Sequence, residues 1–502
     1  MKYILSIDQG TTGTRAILFD ENLDTVCMSY MEHEQIYPQA GWVEHNPEEI
    51  FNNCLKVSGN VLEEAAKLNI TSIEIRGIGL SNQGETVVAW NRITGKPVYN
   101  AIVWQCRRTT KEIENLKAIP SLTESVHRKT GLTLDAYFSA SKIKWIIDNV
   151  EGVRQAMERG EILAGTLDSW IIWKLTGGKS FYTDPSTASR TMLYNIHTLD
   201  WDDELLSTFG LTRDILPSIL PTSGYFGNTD PFVFFGLNIP ITGSVVDQQG
   251  ALFGQSCISE GMMKCTYGTG CFLLMNIGEK PLINEQGILT SVGWQIKDKV
   301  CYVLEGGIYV AGTVLQWLRD NLELISDYSE ADSLAEGVPD TDGVCFVPAF
   351  SGLAAPIWDS SARGTIVGIT AKTSKEHIIR AALESIAYQV KMVLDVMVDS
   401  CEYKPGILKV DGGISRSNFL MQFQADILGI PVEKPSNIEA TAMGAALFAG
   451  LSAGVWDDTD QIQSRHLSKH CFYPQMDSEK SDKLLSNWKR AVNRSLNWAN
   501  FY

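Results

Sequence analysis

One pattern occurs twice in this chain: two apolar, β-branched strands joined by a turn of glycine and threonine. The first copy joins residues 3–8 to residues 15–20 through Gln9-Gly10-Thr11-Thr12-Gly13-Thr14, and the second covers residues 264–274 around Gly268-Thr269-Gly270. Strand, glycine-containing turn and strand together predict a β-hairpin. Two such hairpins, about one domain apart, predict a duplicated fold in which each domain carries one copy.

Strands and helices alternate outside the two hairpins. Asn46 before Pro47 is typical of a helix start, and Ile50 and the apolar residues after it keep a helical spacing. The run 240–246 predicts a buried strand that ends at Asp247. This alternation predicts an α/β architecture.

The length predicts two domains. The chain has 502 residues, whereas single hydrophobic cores stop growing at about 250–300 residues. We expect an amino-terminal domain over residues 1–254 and a carboxyl-terminal domain over residues 255–502. No long linker separates them, so we expect a cleft between them, where ligand sites commonly lie.

Composition excludes several classes of protein. A formal net charge of −17 argues against nucleic-acid binding, which needs clustered Lys and Arg. It leaves anionic ligands possible, because backbone N–H groups bind phosphate inside acidic proteins. Ten cysteines without a C-x-x-C pair indicate reduced thiols. The chain opens directly with a strand and has no long apolar run, so we expect a cytoplasmic protein without membrane insertion.

Two features indicate a phosphate site. A Gly/Thr turn can bring N–H groups and hydroxyls onto phosphate oxygens, and Asp8 at the end of the first strand is placed to meet magnesium through water. One such hairpin alone is better interpreted as a plain tight turn; two of them with Asp8 favour phosphate binding. Asp247 lies at the carboxyl end of a strand, where α/β proteins bind ligands, and a helix cap is an equally good interpretation of this position.

Several segments closely resemble the glycerol kinases and the wider FGGY family of carbohydrate kinases. They are residues 8–12, 41–44, 103–108, 247–249, 267–272 and 411–413, and the two FGGY signatures at residues 137–145 and 351–356. The resemblance follows the chain in order over nearly its whole length. It implies two α/β domains of the actin and hexokinase type, each built around a ribonuclease-H-like sheet and flanking a catalytic cleft. It also implies ATP and Mg²⁺ as cofactors and a small polyol as substrate, most simply glycerol, phosphorylated to glycerol 3-phosphate.

The resemblance also implies roles for individual residues. Asp8 would hold the metal, and Asp247 would be the catalytic base. The substrate would be bound by Gly84, Glu85, Trp104, Tyr137, Asp247, Gln248 and Phe272, with Trp104 and Phe272 against its carbons. The nucleotide and its phosphates would be bound by Thr11, Thr12, Gly13 and Arg15 in the first domain and by Thr269, Gly312, Gln316, Gly413 and Ser417 in the second.

The chain departs from the glycerol-kinase pattern at five places. Gly84 stands where the pattern has an Arg that grips substrate hydroxyls, and Val246 replaces the Gly before the base. Gly13 replaces a phosphate-loop Ser, and Ser417 replaces an Asn near the adenine. Residues 228–236 occupy the position of the Arg-containing loop that binds fructose 1,6-bisphosphate in some members, so we expect no such regulation.

These departures leave alternatives open. Gly84 would accommodate a larger substrate, such as a tetritol or a pentulose. A weakly active paralogue with a regulatory role is a further alternative. A chaperone or structural ATPase of the same superfamily is disfavoured by Trp104, Tyr137 and Asp247, which suit a polyol pocket. We expect a homo-oligomer, a dimer or a tetramer.

Overall fold

Both predicted hairpins lie in one mixed sheet of thirteen strands. The computed structural model describes residues 1–401, 403–435, 439–463 and 469–499. The strands are β1 Tyr3–Gln9, β2 Gly13–Asp20, β3 Thr25–Glu32, β4 Glu44–His45, β5 Ile75–Asn82, β6 Val87–Asn91, β7 Lys96–Pro97, β8 Ala101–Ile102, β9 Ile162–Thr166, β10 Tyr182–Thr183, β11 Tyr194–Asn195, β12 Asp200–Trp201, β13 Ser218–Ile219, β14 Ser223–Asn228, β15 Pro240–Val246, β16 Met263–Tyr267, β17 Cys271–Gly278, β18 Leu289–Ile296, β19 Lys299–Ile308, β20 Cys345–Val347, β21 Thr365–Val367, β22 Leu408–Asp411, β23 Val432–Pro435 and β24 Lys469–Phe472.

Helices cover the faces of this sheet. They are α1 Pro47–Lys67, α2 Thr110–Lys117, α3 Pro120–Thr130, α4 Ser139–Asn149, α5 Val153–Glu158, α6 Leu167–Leu175, α7 Pro185–Ala188, α8 Asp203–Thr208, α9 Asp247–Gly254, α10 Gly312–Asp320, α11 Tyr328–Glu336, α12 Lys375–Ser400, α13 Asn418–Leu428, α14 Ala440–Ser452, α15 Thr459–Gln463 and α16 Ser478–Ser495. No helix in the described ranges is long and apolar enough to cross a bilayer.

The strand order repeats between the two halves of the sheet. The amino-terminal half runs β3-β2-β1-β5-β15 and the carboxyl-terminal half runs β19-β17-β16-β22-β23. In each half three antiparallel strands are followed by two parallel ones. Strands β14 and β18 join the halves, where Ser223 pairs with Ile296. The predicted duplication is therefore confirmed.

Local sequence signals correctly predicted the boundaries of the helices and strands near the site. The side chain of Asn46 accepts hydrogen bonds from the N–H groups of Glu48 and Glu49, at 3.0 and 3.4 Å, and so caps α1 as predicted. Strand β15 ends at Val246, and α9 begins at Asp247. All ten cysteines are free thiols.

Helix α14 of the carboxyl-terminal half packs on β5 and α9 of the amino-terminal half with almost no side chain between the backbones. A Cβ on Gly79 of β5 would lie 2.2 Å from the carbonyl oxygen of Ala445, and one on Gly444 would lie 1.9 Å from that of Gly250. Only glycine permits such an approach. The contact fixes α9, which carries Asp247 at its first turn.

Candidate active site

Three carboxylates lie at one edge of the sheet, at the carboxyl ends of the adjacent parallel strands β1, β5 and β15. Asp8 is opposite Ser81 of β5, and Val246, the residue before Asp247, is opposite Asn82. Glu85 follows β5 by three residues. Burial raises the pKa of Asp8 and of Glu85 to about 7 each and that of Asp247 to about 6. This is the edge at which α/β sheets bind ligands.

Glu85 has a strained backbone. Its φ of 53° lies in the left-handed region, which residues with side chains rarely adopt. The N–H of Thr86 donates to the carbonyl of Gly84 at 2.6 Å and closes a three-residue turn around Glu85. Ser139 holds the turn from the other side, because its hydroxyl donates to the Glu85 carbonyl at 3.0 Å. Such strain clusters at functional sites.

Arg190 joins Glu85 to the carboxyl-terminal half of the molecule. Its Nε donates to Glu85 at 2.6 Å, and its Nη1 and Nη2 donate to the two carboxylate oxygens of Glu305 at 2.8 and 2.9 Å. Nη1 also donates to the hydroxyl of Ser291 at 2.7 Å. At most 4% of any of these three charged side chains is exposed. The group is a buried ion triad across the two halves.

Sequence reasoning missed Arg190. It lies just after the four-residue helix α7 and is far along the chain from Glu85, Ser291 and Glu305. The one available signal was that Arg190 lies among small and apolar residues, which indicates a buried position. A buried charge requires a partner. That signal would have predicted a buried ion pair without naming its partners.

Three predicted aromatic residues meet around the pocket. The ring of Trp104 packs edge-on to Tyr137 with centroids 5.6 Å apart and to Phe272 with centroids 6.3 Å apart. Phe272 belongs to β17 of the carboxyl-terminal half. The indole Nε1 of Trp104 donates to the hydroxyl of Thr11 at 3.1 Å, which ties this wall to the first Gly/Thr turn. The structure thus brings together residues that are more than 160 positions apart in the chain.

A buried lysine reaches the start of α9. The ammonium of Lys264 on β16 donates to the side-chain carbonyl of Gln248 at 2.5 Å and to the hydroxyl of Thr266 at 2.8 Å. Burial lowers the pKa of Lys264, and the neighbouring acids Asp411 and Asp247 oppose that shift. Lys264 in turn lowers the pKa of Asp247 against the effect of burial. Sequence reasoning also missed Lys264, because its sequence context is that of an ordinary strand residue.

The two Gly/Thr turns close in the same way. The N–H of Gly10 donates to the carbonyl of Gly13, and that of Gly268 donates to the carbonyl of Gly270, both at 2.9 Å. Thr12 and Thr269 at their tips are exposed. These turns therefore present N–H groups and hydroxyls from both halves of the molecule, as phosphate binding requires.

Arg15 and Gly13 are constrained by their neighbours. The guanidinium of Arg15 pairs with Glu439, just before α14, and lies over the ring of Tyr30, 5.3 Å from its centroid. A Cβ on Gly13 would lie 2.6 Å from both the Tyr30 hydroxyl and the Met31 carbonyl oxygen. Packing of β3 therefore explains why a serine does not fit at position 13.

Of the predicted nucleotide residues of the carboxyl-terminal half, Gly312 contacts the second turn directly. The N–H of Gly312 donates to the carbonyl of Gly268 at 2.9 Å, and a Cβ on Gly312 would lie 2.7 Å from that oxygen. Gly413 and Gln316 are exposed. The hydroxyl of Ser417 caps α13 and donates to Asp332 at 2.5 Å.

The carboxylate of Asp8 could serve as one ligand of a bound metal ion. Within the described part of the chain, no three His, Cys, Asp or Glu side chains are grouped so that they could hold an ion by themselves. Magnesium is commonly bound through one or two carboxylates, with water and substrate phosphates as the other ligands. The carboxylate of Asp8 at the end of β1, just before the first Gly/Thr turn, fits that pattern.

Known proteins resemble the chain along its whole length. The models of the FGGY family of carbohydrate kinases match residues 3–254 with the N-terminal domain and residues 263–453 with the C-terminal domain. A glycerol kinase of Carboxydothermus hydrogenoformans is 54% identical over 497 residues, 99% of each chain. The crystal structure of Plasmodium falciparum glycerol kinase with ADP is 41% identical and covers 99% of this chain and 98% of that one, with a TM-score of 0.92.

More distant structures share the fold alone. A ligand-bound xylulose kinase from Lactobacillus acidophilus is 22% identical, with a TM-score of 0.87 over 98% of each chain. Together these matches confirm the expected α/β fold of two domains, of the actin and hexokinase type.

Proposed function

The chain belongs to the FGGY family of carbohydrate kinases, and from this we propose that it transfers the terminal phosphoryl group of ATP to glycerol, forming glycerol 3-phosphate and ADP. The observation that carries the proposal is the 54% identity with a glycerol kinase over 99% of both chains. The pocket edge supports it, because Glu85, Asp247 and Tyr137 offer polar groups for a small polyol beside an aromatic wall.

Asp247 is proposed as the general base. It accepts the proton of the attacking hydroxyl while that oxygen bonds to the γ-phosphorus and the bond from the γ-phosphorus to the ADP oxygen breaks. Its pKa of about 6 keeps it ionised at neutral pH, near the value at which a general base works best. Gln248, held by Lys264, and Glu85, held by Arg190, orient the other hydroxyls. Trp104 and Phe272 pack against the carbons.

Phosphates are proposed to lie between the two Gly/Thr turns. Thr11, Thr12, Gly13 and Arg15 approach them from one side and Thr269 from the other. Asp8 would hold Mg²⁺, which when bound neutralises phosphate charge. Catalysis of this kind consists of positioning and charge stabilisation, with little covalent chemistry by the protein.

The proposed division of labour follows the duplicated sheet. Residues 1–254 form the domain that binds polyol and phosphates, and residues 255–502 form the domain that binds the nucleotide through Gly312, Gln316, Gly413 and Ser417. The family matches to residues 3–254 and 263–453 support this division. Closure of the domains excludes water, which limits wasteful hydrolysis of ATP. We further propose a cytoplasmic homo-oligomer, a dimer or a tetramer, which light scattering of the purified protein tests.

The experiment is a kinase assay of the purified protein with ATP, MgCl₂ and a panel of glycerol, erythritol, threitol and pentuloses. We expect glycerol-dependent release of ADP and a product identified as glycerol 3-phosphate by ³¹P NMR. Asp247→Asn should lower kcat by about 10²–10⁴-fold, the usual contribution of a positioned proton acceptor, with an unchanged circular dichroism spectrum. A folded protein that binds ATP and phosphorylates another member of the panel faster than glycerol would refute glycerol as the substrate.

A further inference from the structure

Gly84 and Val246 lie close together at the carboxyl ends of two neighbouring strands: Val246 is the last residue of β15, and Gly84 follows the end of β5 by two residues. Each directly precedes a pocket carboxylate, Glu85 or Asp247, and strands β5 and β15 are parallel and paired, with Val246 opposite Asn82. Both residues are buried, with Val246 only 2% exposed. They are also two of the positions at which the chain departs from the glycerol-kinase pattern, one toward a smaller residue and one toward a larger.

The two residues compete for the same space. A Cβ on Gly84 would lie 3.0 Å from Cγ2 of Val246 and 3.9 Å from Cγ of Arg190. The first distance is tighter than ordinary contact between carbon atoms, which is about 3.5–4.0 Å. A side chain at position 84 would therefore press against a methyl group of Val246 on one side and lie beside the stem of Arg190 on the other.

The side chain of Val246 has no hydrogen-bonding group, and the nearby N–H of Val246 and carbonyl of Gly84 each already make one hydrogen bond. The N–H of Val246 donates to the hydroxyl of Ser186 at 3.0 Å, and the Gly84 carbonyl accepts from Thr86 at 2.6 Å. A substrate hydroxyl buried against the Val246 methyl group would lose its bonds to water without replacement, which is unfavourable. A substrate carbon that carries only hydrogen atoms has no hydrogen bonds to water to lose at this position.

We propose that Gly84 and Val246 act as one specificity-determining pair. Val246 takes the space of a side chain at position 84 and selects a short polyol whose carbon lies against its methyl group, and it excludes the additional hydroxylated carbon of a tetritol or pentulose. This inference rests on the proposed polyol kinase activity. It assigns the exclusion of longer polyols to Val246, whose Cγ2 would lie 3.0 Å from a Cβ at position 84.

The first test compares kcat/KM for glycerol and erythritol in the wild type and in Val246→Gly. One carbon more or less in an apolar pocket changes discrimination by about 10–200-fold, so we expect the erythritol-to-glycerol ratio to rise by at least about tenfold. If the glycine variant does not fold, Val246→Ala replaces it in the test. This variant removes two methyl groups and should raise the erythritol-to-glycerol ratio by a smaller factor. Val245→Ala is the matched control, because Val245 is the neighbouring buried residue and packs in an apolar cluster that does not include Val246; it should leave the ratio unchanged. An unchanged ratio in both Val246 variants would overturn the proposal.

The second test measures contact between the two positions independently of activity. Gly84→Arg should lower the thermal unfolding midpoint, because Val246 occupies the space needed, and Gly84→Arg with Val246→Gly should recover most of that loss. Additive midpoint changes would overturn the pairing. If the wild type phosphorylates no polyol of the panel, the proposed function fails, while this midpoint cycle still decides whether the two residues are coupled.

Discussion

The buried triad of Glu85, Arg190 and Glu305 gives a prediction with a definite size. Arg190→Met replaces the guanidinium by an apolar side chain and leaves two buried carboxylates without their cation. Removing one partner of a buried ion pair typically costs about 3–5 kcal/mol. We therefore expect a large fall in the free energy of unfolding at pH 8, visible in calorimetry as a lower unfolding midpoint.

The loss should depend on pH in a definite direction. The pKa of Glu85 is already raised to about 7 by burial, with Arg190 opposing the rise, so Arg190→Met should raise it further. A carboxyl whose folded pKa exceeds its unfolded value of about 4.3 binds more protons when folded, and its folded state gains stability as pH falls. The difference between Arg190→Met and wild type should therefore be smaller at pH 6 than at pH 8.

Two controls make this prediction refutable. Arg159→Met removes an exposed ion pair with Glu161 and should leave the midpoint nearly unchanged, because exposed pairs contribute little. Adding Glu305→Gln to Arg190→Met should restore part of the stability, since one uncompensated charge disappears. The reasoning is wrong if Arg190→Met unfolds at the wild-type midpoint, or if its loss is the same at both pH values.

Three further predictions concern the proposed activity. The kcat/KM for the acceptor should fall as pH drops below about 6, the raised pKa of Asp247; a flat profile down to pH 5 would exclude Asp247 as the base. Lys264→Met should raise the KM for glycerol, because Gln248 loses its hydrogen-bond donor. It should also move the fall of kcat/KM to higher pH, because Asp247 loses a neighbouring cation. If the pH of that fall does not change, Lys264 has no electrostatic role. Gly312→Ala should weaken ATP binding in calorimetric titration with the fold intact, because its Cβ would lie 2.7 Å from the Gly268 carbonyl oxygen; unchanged affinity would show that the backbone there adjusts freely.

Local sequence signals determined the secondary structure around the site. The Gly/Thr turns, the Asn46 cap of α1 and the boundary between β15 and Asp247 each depend on residues within a few positions of one another, so the pattern contains all the information needed. The two hairpins also predicted a duplicated fold, whereas the strand order within each half came from the structure.

The tertiary structure alone decided which side chains face one another across the cleft. Arg190 contacts Glu85 and Glu305, which are 105 and 115 positions away. The sequence around each of these three residues does not indicate its partners. The strained turn at Glu85 is held by Ser139, another distant residue. Gly84 by itself indicated spare room, yet a methyl group of Val246 on the next strand would lie only 3.0 Å from a Cβ at that position. Sequence patterns report spacing along the chain, whereas the shape and charge of a pocket depend on the packing of distant segments, and here that packing decides what the pocket admits.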